Sequence, residues 1–130
     1  MRALLAATLA FALLAGCATP YQPFTLMGRG GYTDEALGSG RFQVSYYTNK
    51  LTGVETQHEL LLYRIAQVAV DHGYDKFGIS RTVRTFGGRA FQSEQATVQM
   101  ARSTETLVGA HWYLASKVLA EYGPKFNHQD

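Results

Sequence analysis

The side chains able to do chemistry are few and scattered. Cys17 is the single cysteine of the 130-residue chain, so no disulfide can form within it. A thiolate is a strong nucleophile near neutral pH, which makes Cys17 a candidate for catalysis, metal binding or covalent modification. The histidines are His58, His72, His111 and His128. None pairs at the i, i+4 spacing of a helical zinc site, and each reads as a surface or satisfied core histidine. Ser80, His111 and Asp75 supply the residue types of a nucleophilic triad, but no nucleophile-elbow sequence surrounds the serine. Arg81, Arg84, Arg89 and Arg102 gather around one expected hairpin. They read as solvated strand ends or as a cationic patch, for which the guanidinium fork suits carboxylates and phosphates. Gly28-Arg29-Gly30-Gly31 is glycine-rich, yet no strand precedes it and no amphipathic helix starts at it, so it reads as a turn rather than a nucleotide loop.

The neighbours of Cys17 decide among its possible roles. Met1-Arg2 carries one positive charge and is followed by an uncharged apolar run from Ala3 to Leu14, then by the small residues Ala15 and Gly16. Charged start, apolar middle and small-residue end are the parts of a secretory signal peptide. The run is too short for a transmembrane helix, and no later stretch is apolar for long enough. Leu14-Ala15-Gly16-Cys17 resembles the lipobox of bacterial lipoproteins. That resemblance implies that the thiol is alkylated with a diacylglyceryl group, that residues 1–16 are removed, and that Cys17 becomes the first residue. Enteric lipoproteins held in the inner membrane tend to carry aspartate after the cysteine. Ala18 stands there instead, which points to the outer membrane, facing the periplasm. Each buried methylene of a palmitate-type chain contributes about 0.8 kcal/mol, so two or three chains anchor essentially permanently.

The chain from Cys17 onward has 114 residues, enough for one small domain. Without Arg2, eleven Lys and Arg stand against ten Asp and Glu. Such a balance does not call for nucleic acid, and export argues against it. Residues 17–40 read as a lipidated cysteine and flexible tether, because Pro20 and Pro23 disfavour regular structure and Gly28, Gly30, Gly31, Gly38 and Gly40 favour turns. Fully stretched, such a tether spans roughly 70 Å.

Residues 41–123 read as the domain and 124–130 as a frayed tail. Arg41 to Thr48 alternates, with Phe42, Val44 and Tyr46 on one side and Gln43, Ser45 and Tyr47 on the other, as in a half-buried strand. A helix follows, opened by a capping box at Thr52-Glu55 or Thr56-Glu59. It buries His58, Leu61, Leu62, Ile65, Val68, Ala69 and His72, turns Glu59, Arg64, Gln67 and Asp71 outward, and ends at Gly73. Lys76 to Thr85 is a second strand with Phe77, Ile79 and Val83 inward and Ser80, Thr82 and Arg84 outward. Ala96 to Ala101 is a third. A second helix runs from His111 to about Tyr122, burying Trp112, Ala115, Val118, Leu119 and Tyr122, and stops at Gly123-Pro124.

The order strand-helix-strand-strand-helix predicts an α+β two-layer sandwich of about three strands with both helices on one face. The first two strands are expected to be parallel. The bare face then presents Gln43, Ser45, Tyr47, Ser80, Thr82, Arg84, Thr97 and Gln99.

The motifs Gly30-Gly31-Tyr32, Arg41-Phe42-Gln43-Val44, Leu61-Leu62-Tyr63-Arg64-Ile65-Ala66 and Gly73-Tyr74-Asp75-Lys76-Phe77 resemble a family of small alphaproteobacterial lipoproteins over nearly the whole mature length. Arg64-Ile65-Ala66-Gln67 stands where that family more often has Arg-Ala-Ala-Glu. The resemblance implies localisation and fold and supplies no catalytic residues. The expectation is therefore an envelope lipoprotein that is not an enzyme and needs no cofactor. It would be held to the membrane by lipid on Cys17 and would contact an envelope protein, peptidoglycan stem peptides or lipopolysaccharide. Tyr47, Arg81, Arg84, Gln99 and Arg102 are the candidate binding residues. A structural envelope component without a specific ligand is the alternative, and a hydrolase, which would need a pocket holding two or more titratable groups, comes third.

Overall fold

The computed structural model describes residues 18–25, 28–87, 91–105 and 111–127. Cys17 and the expected signal peptide, Arg89 and His128 lie outside the described residues. The elements are β1 (Gly30–Gly38), β2 (Arg41–Thr48), α1 (Val54–Asp71), β3 (Lys76–Phe86), β4 (Gln92–Ala101), β5 (Trp112–Leu114) and α2 (Ala115–Phe126). The protein is α+β, with five strands where three were expected. They form one antiparallel sheet in the order β1-β2-β4-β3-β5. β2 and β3 run in the same direction, but they are not neighbours. β4 lies between them and pairs antiparallel with both.

The core forms where α1 crosses the sheet. Phe42, Val44 and Tyr46 of β2 and Ala96, Val98 and Met100 of β4 are buried with Leu60, Leu61, Ile65, Val68 and Ala69 of α1. Alternation along β2 and β4 puts these residues on one face, as period-2 patterning requires. α2 packs along α1, and Phe126 lies 5.6 Å from the Tyr63 ring.

α1 ends as its sequence suggests. Gly73 has φ +80, its N–H bonds the Val70 carbonyl and the Tyr74 N–H bonds that of Ala69. This is a Schellman stop. The capping box does not form. Gly53 occupies the N-cap, and the Thr52 hydroxyl is engaged elsewhere, accepting from the Thr19 N–H at 2.8 Å and donating to Asn49. Arg64 was expected to face solvent. It is held between strand and helix by Asp34 instead.

The segment read as a tether is part of the domain. Gly30–Gly38 is β1, joined to β2 by Ser39-Gly40 with both φ values positive (54 and 74), the signature of a type I′ hairpin. Gly30 and Gly31 serve close approach rather than flexibility. A Cβ at Gly30 would lie 2.2 Å from the Tyr47 carbonyl oxygen, and one at Gly31 2.4 Å from that of Gln22. Within β1, Tyr32 exchanges backbone hydrogen bonds with Gln22 and Phe24 of the segment ahead of the strand.

Three expectations about the second half fail for local reasons. β3 shifts register between Ile79 and Arg81. One extra residue in a strand turns every later side chain to the opposite face, so Thr82 and Arg84 lie on the helix side and Val83 on the other. β5 pairs with β3 through Gly78↔Trp112, which delays α2 to Ala115 and leaves Trp112 half exposed beside Lys76 (5.0 Å). Finally, α2 continues through Pro124 to Phe126. A proline there removes one backbone hydrogen bond, and burial of Phe126 holds the last turn in place.

Candidate functional site

The structure separates the five candidate binding residues. Tyr47 is half-buried under the N-terminal segment, with the Phe24 ring 4.7 Å away and the Phe91 ring 5.4 Å from that of Phe24. Arg81 is exposed beside Thr97. Arg84 has crossed to the helix side. Only Gln99 and Arg102 come together. Tyr47 pairs with Ser93 and Arg41 with Gln99, so Tyr47 and Gln99 stand six positions apart along the sheet, roughly 20 Å. The expected bare face is further reduced by Ser45, which is buried.

Gln99 and Arg102 line a cleft of about 250 Å³ with Ser39, Gly40, Tyr74, Met100 and Glu105. Its frame is built from the backbone. The Met100 N–H bonds the Gly40 carbonyl at 2.8 Å, and the Gln99 side-chain amide donates to the Ser39 carbonyl at 3.0 Å. The 101–105 turn is tied down by Asp75, whose carboxylate accepts the Ser103 N–H at 2.8 Å, and by Glu105, whose carboxylate accepts the Arg102 N–H at 2.9 Å. Among the described residues the Arg102 guanidinium makes no hydrogen bond or ion pair. The cleft therefore offers a guanidinium without a bonding partner among the described residues, together with a tyrosine and one carboxylate. Such a set can hold a ligand carboxylate and, beside it, an ammonium. The sequence alone singles out Gln99 and Arg102 but not Tyr74 and Glu105, which join the cleft from chain segments far apart in sequence.

Arg84 belongs to a second cluster. Glu94 of β4 is 2 % exposed, and its two carboxylate oxygens contact His58 Nδ1 at 2.7 Å and Arg84 Nη2 at 3.0 Å. Burial pushes the Glu94 carboxyl up, but the hydrogen bonds from His58 and Arg84 outweigh it and hold it below the usual range. The Glu94 hydrogen bond raises His58, against partial burial. A histidine stabilised as imidazolium is a poor general base. Ser80, His111 and Asp75 do not meet either. Ser80 donates to the Thr97 carbonyl and Asp75 accepts from Ser103.

On the other flank of α1, Arg64 donates two hydrogen bonds to Asp34 (2.7 and 2.8 Å) and one to the Tyr21 hydroxyl (3.2 Å), with its guanidinium 3.8 Å from the Tyr32 ring centre. Burial pushes the Tyr21 hydroxyl up to about 12. No group of three or more His, Cys, Asp or Glu suited to a metal ion occurs among the described residues. No helix among them is long and apolar enough to cross a membrane. Comparison of the chain with protein-family models, with curated proteins and with solved structures found no match.

Proposed function

We propose that this chain is a lipid-anchored protein of the bacterial envelope and that its domain is a binding module whose contact site is the Gln99–Arg102 cleft. The anchor reading rests on Leu14-Ala15-Gly16-Cys17 and the apolar run before it. The binding reading rests chiefly on one observation, an Arg102 guanidinium that makes no hydrogen bond or ion pair among the described residues, in a framed polar cleft with Tyr74 and Glu105. Position supports it. The cleft lies where β1 ends and β2 begins, while Thr19, two residues from Cys17, is bonded beside Asn49 at the end of β2. Anchor and cleft are thus at opposite ends of the sheet, and an anchored domain would hold the cleft away from the lipid. Carboxylate-bearing peptides of the cell wall fit this chemistry, since they carry both carboxylate and amine groups.

The test is retention of the purified protein on isolated peptidoglycan sacculi. Arg102→Ala should lower retention at least fivefold, and Arg102→Lys should restore it only in part, because an ammonium lacks the bidentate fork. Retention unchanged in Arg102→Ala would remove the cleft as the contact site. Cys17→Ser should release the protein from the membrane fraction; continued membrane association would remove the anchor reading instead.

A further inference from the structure

The end of the domain around Thr19 leaves almost no slack between the expected lipid and the fold. The Thr19 N–H donates to the Thr52 hydroxyl at 2.8 Å, its own hydroxyl donates to the Arg29 carbonyl at 2.6 Å, and that hydroxyl accepts the Asn49 N–H at 2.9 Å. Thr19 itself is buried. The Tyr46 hydroxyl then donates to the Pro20 carbonyl at 2.7 Å, and Gln22 and Phe24 exchange backbone bonds with Tyr32. Ala18 is the single residue between Cys17 and this sewn-down chain. Two residues reach roughly 7 Å. The polar layer on each side of the hydrocarbon is itself about 5–8 Å thick.

The surface at this end has the composition of a membrane-contacting face. The turn between β2 and α1 exposes Leu51 (66 %) and, one residue into the helix, Val54 (39 %). Phe86 (70 %) ends β3 at the same end of the sheet, since it pairs with Gln92 and Gln92 pairs with Thr48. Lys50 and Arg29 are exposed beside them, against the single acidic residue Glu55 in the first turn of α1. Exposed apolar side chains interleaved with cations are what an anionic lipid interface recruits.

We infer that the pole formed by the Asn49–Val54 turn, with Phe86 and Arg29, lies directly on the phospholipid surface, so that the domain is seated on the membrane in one orientation rather than swinging from a tether. This rests on lipidation of Cys17, and the occupant is the phospholipid leaflet that holds that lipid.

Trp112 is the only tryptophan and is half exposed near the opposite end of the sheet, beside Lys76. It provides an internal control. The mature lipidated protein is reconstituted in phosphatidylethanolamine–phosphatidylglycerol vesicles containing lipids brominated near the headgroup. In the wild type, Trp112 emission should fall by less than a tenth. In Leu51→Trp/Trp112→Phe and, separately, Val54→Trp/Trp112→Phe, emission should fall at least twofold. If the protein floats with the vesicles but neither variant is quenched more than Trp112, the seated pole is wrong and the anchor reading stands. If the protein does not float with the vesicles, and Cys17→Ser behaves the same, both readings fall together.

Discussion

Two polar clusters flank α1, and they differ in one decisive respect. Each joins a strand carboxylate to a basic residue of the helix, Asp34 to Arg64 on the β1 side and Glu94 to His58 on the β4 side. Asp34 lies on an edge strand with its side chain partly open to water, whereas Glu94 lies on a central strand and is closed off. Removing the partner of a water-accessible charge leaves water to take its place. Removing the partners of a buried charge leaves it with nothing. The same kind of ion pair therefore ranges from a modest contribution to a structural requirement, according to which strand supplies the carboxylate.

The largest effect should come from stripping Glu94 of both partners. His58→Leu/Arg84→Met is expected to lower unfolding stability by about 3–5 kcal/mol, measured by urea unfolding at neutral pH. Adding Glu94→Gln to that pair should restore a substantial part, because the buried charge is gone. On the other flank, Arg64→Met removes the paired bonds to Asp34, the bond to Tyr21 and the stacking on Tyr32, and should lower stability by about 1–2 kcal/mol. A loss equal to that of the first variant would break the contrast.

Protonation separates the clusters further. His58 is raised in the fold, so its contribution is full below its unfolded value near 6.5 and fades as pH climbs through the higher folded value. Glu94 is lowered, so its contribution is present above the ordinary glutamate range and is lost as pH falls through the lower folded value. Stability from this cluster should be greatest between the ordinary glutamate range and about pH 6.5, and decline as pH rises above that. His58→Leu should flatten that alkaline decline, while Arg64→Met, lacking a group that titrates there, should leave its slope unchanged. The smallest effect belongs to the exposed Lys125–Glu59 pair between the helices. Lys125→Ala should cost about 0.5 kcal/mol or less, which sets the baseline for the other two.

Legibility in the sequence followed the strength of local patterning. β2 and α1 were readable because Phe42, Val44 and Tyr46 alternate and Leu61, Ile65 and Val68 recur at helical spacing ahead of Gly73. β1 was not, since Gly30 to Gly38 carries no run of apolar residues and its glycines mimic a linker. Its signal was the Ser39-Gly40 pair, a two-residue hairpin turn, followed at once by a clear strand. Of the candidate site, Gln99 was legible as an outward-facing strand residue and Arg102 as one of the arginines around a hairpin. Tyr74 and Glu105 were not, because they enter the cleft through chain segments far apart in sequence. Arg84 was misplaced by a single bulged position, which no periodicity rule detects.

The sequence by itself determined the α+β class, β2 and α1, and the expectation of a lipid-bearing cysteine, because each depends on residues within about twenty positions of one another. Tertiary structure alone decided the partners: β4 between β2 and β3, the N-terminal segment bonded to Thr52, and Glu94 closed in by His58 and Arg84. Those outcomes turn on strand pairing and on one shift of register, where segments distant in the chain compete for the same hydrogen-bonding edge.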